Sequence, residues 1–561
     1  MHKQQTFQKV MVLSLIIMAA SNTGWAQTIS PADAEEIHRR SREQAQERQE
    51  KQNQKDAFLQ GKTKAIHDIS LPTEEISFPI SMIQLEGQRV DKFPWAQEML
   101  DQYTGKSIGK EGISLIMKRL TNDFITRGYT TTRVTIPEQD LSTGTLKLTV
   151  IPGIIRDIRF VSPETSGIWT NAFSIRPGDI LNLRDLEQGL EQMKRVPSQA
   201  VDLQISPGEQ PGESDIIITV KRDKQWRAVV SLDDSGTKAT GRLQTSATYS
   251  IDNLFGSNDL FYISLNKDAE QKESLYGTRG NSLYYSVPYG NWTFSLNGSQ
   301  YKYHQTVQGI NQSFIYSGES DTVQVSAQKV VDRGQHHKTY MEYSINKKHS
   351  KNYIDDTEIT VQNKDVTAAQ IGVSHRRYYG PTTVDLELSQ RWGVPWFGAQ
   401  EEGASSLDSP TTRYKLWVFD ASVITPMKIA NVQGRYTCSL RAQYSQDVLY
   451  ASDFFSIGNR YTVRGFDGEQ TLAAEKGWYV RNEWSMPVEK TNEAYICLDY
   501  GRVYGYSSQG LLGKELAGTA LGLRGADKNW QYDVFVSLPI YKPAGYQTAS
   551  TYYGFQMTYQ L

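Results

Sequence analysis

Residues 259–266 read DLFYISLN. In an extended chain Phe261, Ile263 and Leu265 fall on one face, and Tyr262, Ser264 and Asn266 on the other. Successive side chains of a strand point to opposite faces, so this is a strand with one apolar and one wet side. The pattern recurs. In YKLWVFDASV, Trp417, Phe419, Ala421 and Val423 oppose Asp420 and Ser422; in the last segment Phe555, Met557, Tyr559 and Leu561 oppose Gln556, Thr558 and Gln560. From Trp226 onward sixteen such segments begin near residues 226, 242, 259, 280, 291, 320, 338, 366, 381, 414, 430, 476, 493, 515, 529 and 550. Gly, Asn, Asp and Pro turns separate them. A soluble sandwich alternates too, but the even count, the aromatic segment ends and a final segment running to Leu561 describe an outer-membrane β-barrel over residues 224–561.

The rest of the composition fits. A chain of 561 residues predicts two to four units. A net charge of −2 argues against a nucleic-acid binder held by counterion release. Tyrosines (32) outnumber phenylalanines (18), a bias toward rings that are apolar at one end and wet at the other, as membrane interfaces use. At the N-terminus, Lys3 and Lys9, the apolar run Val10 to Ala20 and the small-residue pattern Gly24-Trp25-Ala26 read as a signal peptide, residues 1–26, cleaved after Ala26. Export would bring Cys438 and Cys497 into an oxidising compartment. They fall on opposite faces of non-adjacent strands, about 10 Å apart at best given the ~4.8 Å strand spacing. A disulfide needs closer Cα atoms, so two free thiols are expected.

Between signal and barrel lie three pieces. Residues 27–54 include SPADAEEIHRRSREQAQERQEKQNQ, with Ser30 as N-cap, Pro31 at the first helical position and Asp33, Glu35 and Glu36 in the first turn. Charged all round, this helix has no apolar face to bury, which suits either a tether or a wet cavity. Residues 55–75 read as a linker. Two αβ units follow, 76–151 and 152–223, each predicted as strand, short helix, amphipathic helix and two strands. The first reads ISFPISMIQLEG as one strand, WAQEMLDQY as the short helix, and places Ile113, Ile116, Leu120 and Phe124 on one helical face. The second puts its short helix near Thr170 and turns Leu186, Leu190 and Met193 inward. Two such units are an internal repeat, read as binding modules with nothing catalytic in them.

Enzymatic chemistry finds no purchase. There is no HExxH, no CxxC and no GxSxG on a strand–turn–helix, and the His336-His337 pair lies in a turn without Ser or Asp context. No cofactor, metal site or phosphate loop is read, and the chain is taken as a non-enzymatic monomer.

Residues 459–469, NRYTVRGFDGE, place an arginine between a β-branched residue and a glycine, as at the tip of a long inward loop spanning about 448–476. In this setting the chain resembles the outer-membrane transporters of two-partner secretion, relatives of the barrel-assembly proteins. The resemblance rests on the order of segments, on DNLFGSNDLFYISL from 252, YSVPYGNWTFSLNGSQYKY from 285, FFSIGNRYTVRGFDGE and GWYVRNEWSMPV within 454–488, and ICLDYGRVY from 496. It implies a 16-stranded barrel, two periplasmic POTRA-like domains and an N-terminal plug helix. It also implies secretion of a large unfolded exoprotein (adhesin, haemolysin or contact-dependent inhibition toxin) from periplasm to surface, captured by its N-terminal region. The alternative is a barrel-assembly insertase. The resemblance assigns Val463, Arg464, Gly465 and Phe466 to a gating loop and Asp499 and Gly501 to the barrel wall it meets. Alternation agrees: Ile496, Leu498 and Tyr500 face lipid, so Cys497 and Asp499 face the lumen, where solvent should screen a pairing with Arg464. Cys497 stands where the family pattern usually has an aromatic residue.

Overall fold

The computed structural model describes residues 30–53, 56–59, 70–162, 167–270, 272, 274–309, 312–402 and 409–561. The signal-peptide segment lies outside them. Helix α1 spans Pro31–Asn53. The Ser30 hydroxyl accepts from the Asp33 amide at 3.2 Å and donates to the Asp33 carboxylate at 2.7 Å. One expectation is corrected here. The helix does carry an apolar anchor, Ile37, which is 1% exposed and packs against Tyr414, Leu416, Val418, Leu449 and Phe454.

In the first αβ unit the stretch read as one strand is two, Ser77–Ile80 and Met82–Gly87. The break falls at Ser81, whose amide and hydroxyl both bond the Gly144 carbonyl. The first piece pairs with Lys106–Gly109 and the second runs parallel to Thr145–Ile151. Helices α2 (Pro94–Asp101) and α3 (Lys110–Thr126) cover the sheet, with Ile113, Ile116, Leu120 and Phe124 turned into its core.

The second unit has strands Ile154–Phe160, Gln199–Pro207 and Glu213–Arg222 under helix α4 (Leu183–Lys194), whose Leu186, Leu190 and Met193 are buried. The helix expected near Thr170 is absent; the described segment there is a turn. Its polar groups are used elsewhere. The Asn171 carbonyl accepts from the Gly290 amide at 2.7 Å, and its side-chain amide bonds the Ser257 and Pro288 carbonyls, so the segment docks on barrel turns instead of closing on itself.

Sixteen long antiparallel strands, from Trp226–Asp233 to Tyr552–Gln560, bond in chain order and close into a barrel, with a two-residue strand, Thr357–Glu358, added beside His337–Ile354. They correspond one for one to the alternating segments; the largest offset is Ser313–Arg333, read from near 320. Ile263, Leu265, Trp417 and Met557 are exposed on the outer wall, while Ser264, Asn266 and Asp420 line the lumen. The closing seam is short, with register pairs only from Gln556↔Asp233 to Gln560↔Val229. Both cysteines are free. Cys438 stands opposite Asn482, which stands opposite the exposed Leu498, whereas Cys497 is 2% exposed against Tyr495 and Ala520.

Candidate functional site: a loop and a helix inside the barrel

The loop between strands Val432–Ser445 and Lys476–Pro487 folds into the lumen. Its base is a small hairpin, Phe455–Ile457 with Leu472–Ala474, and its interior is apolar: Ile457, Val463, Phe466 and Leu472 pack with Tyr479, Val503, Leu516 and Tyr546. A loop so well packed is a fixed element of the resting structure rather than a solvated tip.

Arg464 stands at its centre. Its Nε donates to Asp499 Oδ2 at 2.7 Å and its Nη2 to Asp499 Oδ1 at 2.8 Å, a two-point grip on the strand Asn492–Tyr504. The Arg464 backbone amide donates to Asp499 Oδ2 as well, at 3.0 Å, so one carboxylate holds both side chain and main chain. The pair is not screened as expected: Asp499 is 0% and Arg464 8% exposed, with the Arg464 side chain and amide and the Asn482 amide seated directly on the carboxylate. Nor is it isolated. Arg464 Nη1 bonds Glu483 Oε2 at 2.7 Å, Arg524 bonds Glu483 at 2.8 Å, and Arg481 Nε lies 3.8 Å from Asp499. Cys497, directly opposite Glu483, places its thiol 3.6 Å from the same carboxylate. Glu483, Arg481 and Arg524 were missed in the sequence. The signal was present: they share inward parity on strands flanking Asp499.

Three glycines let the loop sit this close. Gly465 has φ of 112°, a region open to glycine and strained for other residues. A Cβ there would lie 2.6 Å from the Leu538 carbonyl oxygen, and a Cβ at Gly518 would lie 1.9 Å from the Arg464 oxygen. At Gly501 the Val463 methyl occupies the space a side chain would need, 2.8 Å away. Gly518→Ala should therefore leave the barrel intact by heat-modifiable migration yet expel the loop. Trypsin should then cut at Arg460 and Arg464 at least ten times faster than in the parent; equal rates would show that the seat tolerates a methyl group.

The lumen also holds α1, about 34 Å long at 1.5 Å per residue. Polar and ionic contacts fix it along its length. Near its N-terminus Lys364 pairs with Asp33 at 3.1 Å, Glu35 bonds Thr240 at 2.9 Å and also Tyr301, and His38 Nε2 meets the Ser235 carbonyl at 2.6 Å. Glu36 bridges Arg39 and Lys348. Near its C-terminus Lys51 Nζ reaches Glu387 at 3.0 Å and Arg376 donates to the Lys51 carbonyl at 2.8 Å. Helix and loop also grip each other: Arg40 donates to the carbonyls of Ser452, at 2.5 Å, and Phe454. About 1570 Å³ of lumen remains beside the helix.

A closed sixteen-stranded barrel with a polar helix and a packed loop in its lumen, and αβ modules ahead of it, is the architecture of an outer-membrane polypeptide transporter. The chain belongs to the haemolysin secretion/activation protein ShlB/FhaC/HecB family, which it matches over residues 212–525. Residues 78–153 match the ShlB-type POTRA domain and 154–207 a POTRA domain. It is similar to the outer membrane transporter CdiB-2 of Burkholderia pseudomallei, 42% identical over 84% of this chain and 82% of that protein. Outer membrane transporter CdiB of Dickeya dadantii is 30% identical over 98% of each chain. Among solved structures, CdiB from Acinetobacter baumannii superposes with a TM-score of 0.85 at 26% identity, covering 95% of this chain and 100% of that one. The protein is thus an outer-membrane transporter with periplasmic N-terminal domains, and transport is favoured over the insertase alternative.

Proposed function

We propose that the POTRA domains capture the N-terminal region of a large, unfolded exoprotein in the periplasm and hand it to the barrel, which passes it to the surface once α1 and the Arg464 loop leave the lumen. The exoprotein is an adhesin, haemolysin or contact-dependent inhibition toxin. Folding outside makes the movement one-way, without a nucleotide site. The observation that carries this reading is a sixteen-stranded barrel whose lumen is occupied by two elements that touch each other through Arg40.

Capture by strand addition needs an open sheet edge. The edge of Met82–Gly87 is covered, because the Gln97 side chain bonds the Ile83 carbonyl at 2.8 Å and the Leu85 amide at 3.0 Å, as a neighbouring strand would. Gln199–Pro207 lies at the edge of the second sheet. The bonds Asp223 N to Ser198 O and Gly208 N to Glu213 O turn its even-numbered amides toward its partner, leaving those of Val201, Leu203 and Ile205 facing outward. The full chain in lipid nanodiscs, mixed with the N-terminal fragment of its partner exoprotein, should show hydrogen-exchange protection over 199–207 and none over 82–87. Binding without protection of 199–207 would remove strand addition at this edge.

A further inference from the structure

Residues 56–59, Asp-Ala-Phe-Leu, lie between α4 and the periplasmic ends of barrel strands, held largely through their main chain. The Leu59 amide donates to Glu187 Oε1 at 2.9 Å and the Ala57 amide to Glu191 Oε2 at 3.4 Å, while Arg333 donates to the Ala57 carbonyl at 2.7 Å. Ala57 and Leu59 pack on the core of the second unit. Phe58 points the other way, its ring edge-on to Tyr378 with centroids 5.4 Å apart, and Tyr378 also donates to Asp56 at 2.6 Å. Arg333 bonds Glu191 at 2.8 Å and Lys338 pairs with the same carboxylate. Burial alone would raise the Glu191 carboxyl, and Lys338 and Arg333 hold it below the usual carboxylate range. The charged groups of the groove floor thus pair with one another and keep further bonds for the main chain of the segment that lies on them. What the groove reads in its occupant is extended backbone with alternate residues small or apolar.

The groove lies next to the lumen: Arg376, two residues from Tyr378 on the same strand, lines the lumen and holds the carbonyl of Lys51 near the end of α1. A chain leaving the pore runs through it here, and an unfolded chain going in would meet the same surface. We propose that the groove between α4 and the barrel rim at Arg333, Lys338 and Tyr378 is the pore's inlet for the exoprotein, and that an extended exoprotein segment displaces Asp56–Leu59 from it. The inference rests on the transport reading above. In it the linker occupies the site as a stand-in for substrate, and substrate binding frees the segment tethered to α1.

The test uses the full chain in cells, with p-benzoylphenylalanine replacing Tyr378 or, in a parallel strain, Gln204, and a partner exoprotein stalled in transit by a folded fusion at its C-terminus. Idle transporter should cross-link residue 378 to its own residues 56–59. Stalled transporter should lose at least four-fifths of that product and gain an exoprotein adduct at 378. A persistent linker adduct with none to the exoprotein, while position 204 does capture it, overturns the inlet and leaves capture standing. No exoprotein adduct at either position, with secretion proceeding, overturns both. As a second arm, Phe58→Cys and Tyr378→Cys joined by a short bis-maleimide should lower secretion at least tenfold; wild-type secretion by the joined protein overturns displacement.

Discussion

Arg464→Ala and Asp499→Ala are each expected to lower secreted exoprotein at least tenfold while the barrel still assembles. Each change strips a buried charge of its main partner, leaving Arg481 near Asp499 or Glu483 on Arg464, and costs up to the roughly 3–5 kcal/mol of a charge left wholly unpaired. Only about 1.4 kcal/mol is needed for a tenfold shift in an equilibrium. The cost falls on the docking of one loop, since the barrel's strands bond to one another without it. Arg464→Lys should be partly active: an ammonium cannot span both Asp499 oxygens and Glu483 as the guanidinium does. A double-mutant cycle on secretion decides whether the two act as a unit. The double alanine variant should be no worse than either single one; a loss equal to the sum of the two would show independent roles and end the pairing argument.

Deleting residues 27–54 should raise single-channel conductance in planar bilayers several-fold, with heat-modifiable migration unchanged. The helix lies in the lumen, and its contacts are with walls that are bonded to each other strand by strand. Arg40→Ala, which cuts the link from helix to loop, should give brief openings rather than a permanently raised level. Unaltered conductance in the deletion would mean that the loop alone seals the pore, and α1 would lose its role as plug.

Much of this architecture is legible in the sequence because a barrel strand has a period of two, which any one-residue error would invert. The sixteen starts follow from that parity together with the turn residues between segments, and the inward facing of Asp499 from parity alone. What stays hidden depends on contacts between distant segments. Ile37 looks like a stray apolar residue in a charged helix until Tyr414, Leu416 and Phe454 converge on it from the wall and the loop. The burial of Asp499 cannot be read from its own strand, because the residue seated on it, Arg464, arrives from a loop 35 positions away. The turn at Thr170 follows the same rule: local propensity allows a helix there, and docking to Gly290 and Pro288 overrides it. The covering of strand Met82–Gly87 by Gln97 is likewise a side chain doing a strand's work, which no periodicity announces.

The composition of α1 has a bearing on reversibility. Of its 23 residues the wall buries one large aliphatic side chain, and the other contacts described are hydrogen bonds and ion pairs. When such a helix departs, its carboxylates and ammonium groups exchange protein partners for water, and the wall charges it leaves behind face the same wet channel. Hydration of both sides offsets part of the pairing given up, which is larger than for exposed pairs because Glu35, His38 and Arg39 are buried at rest. In the proposed transport cycle the departing segment presents no greasy stripe that would cling to lipid or drive aggregation, which suits a plug that returns after each round. A stopper built from leucines would bind more tightly once and would be far harder to reuse.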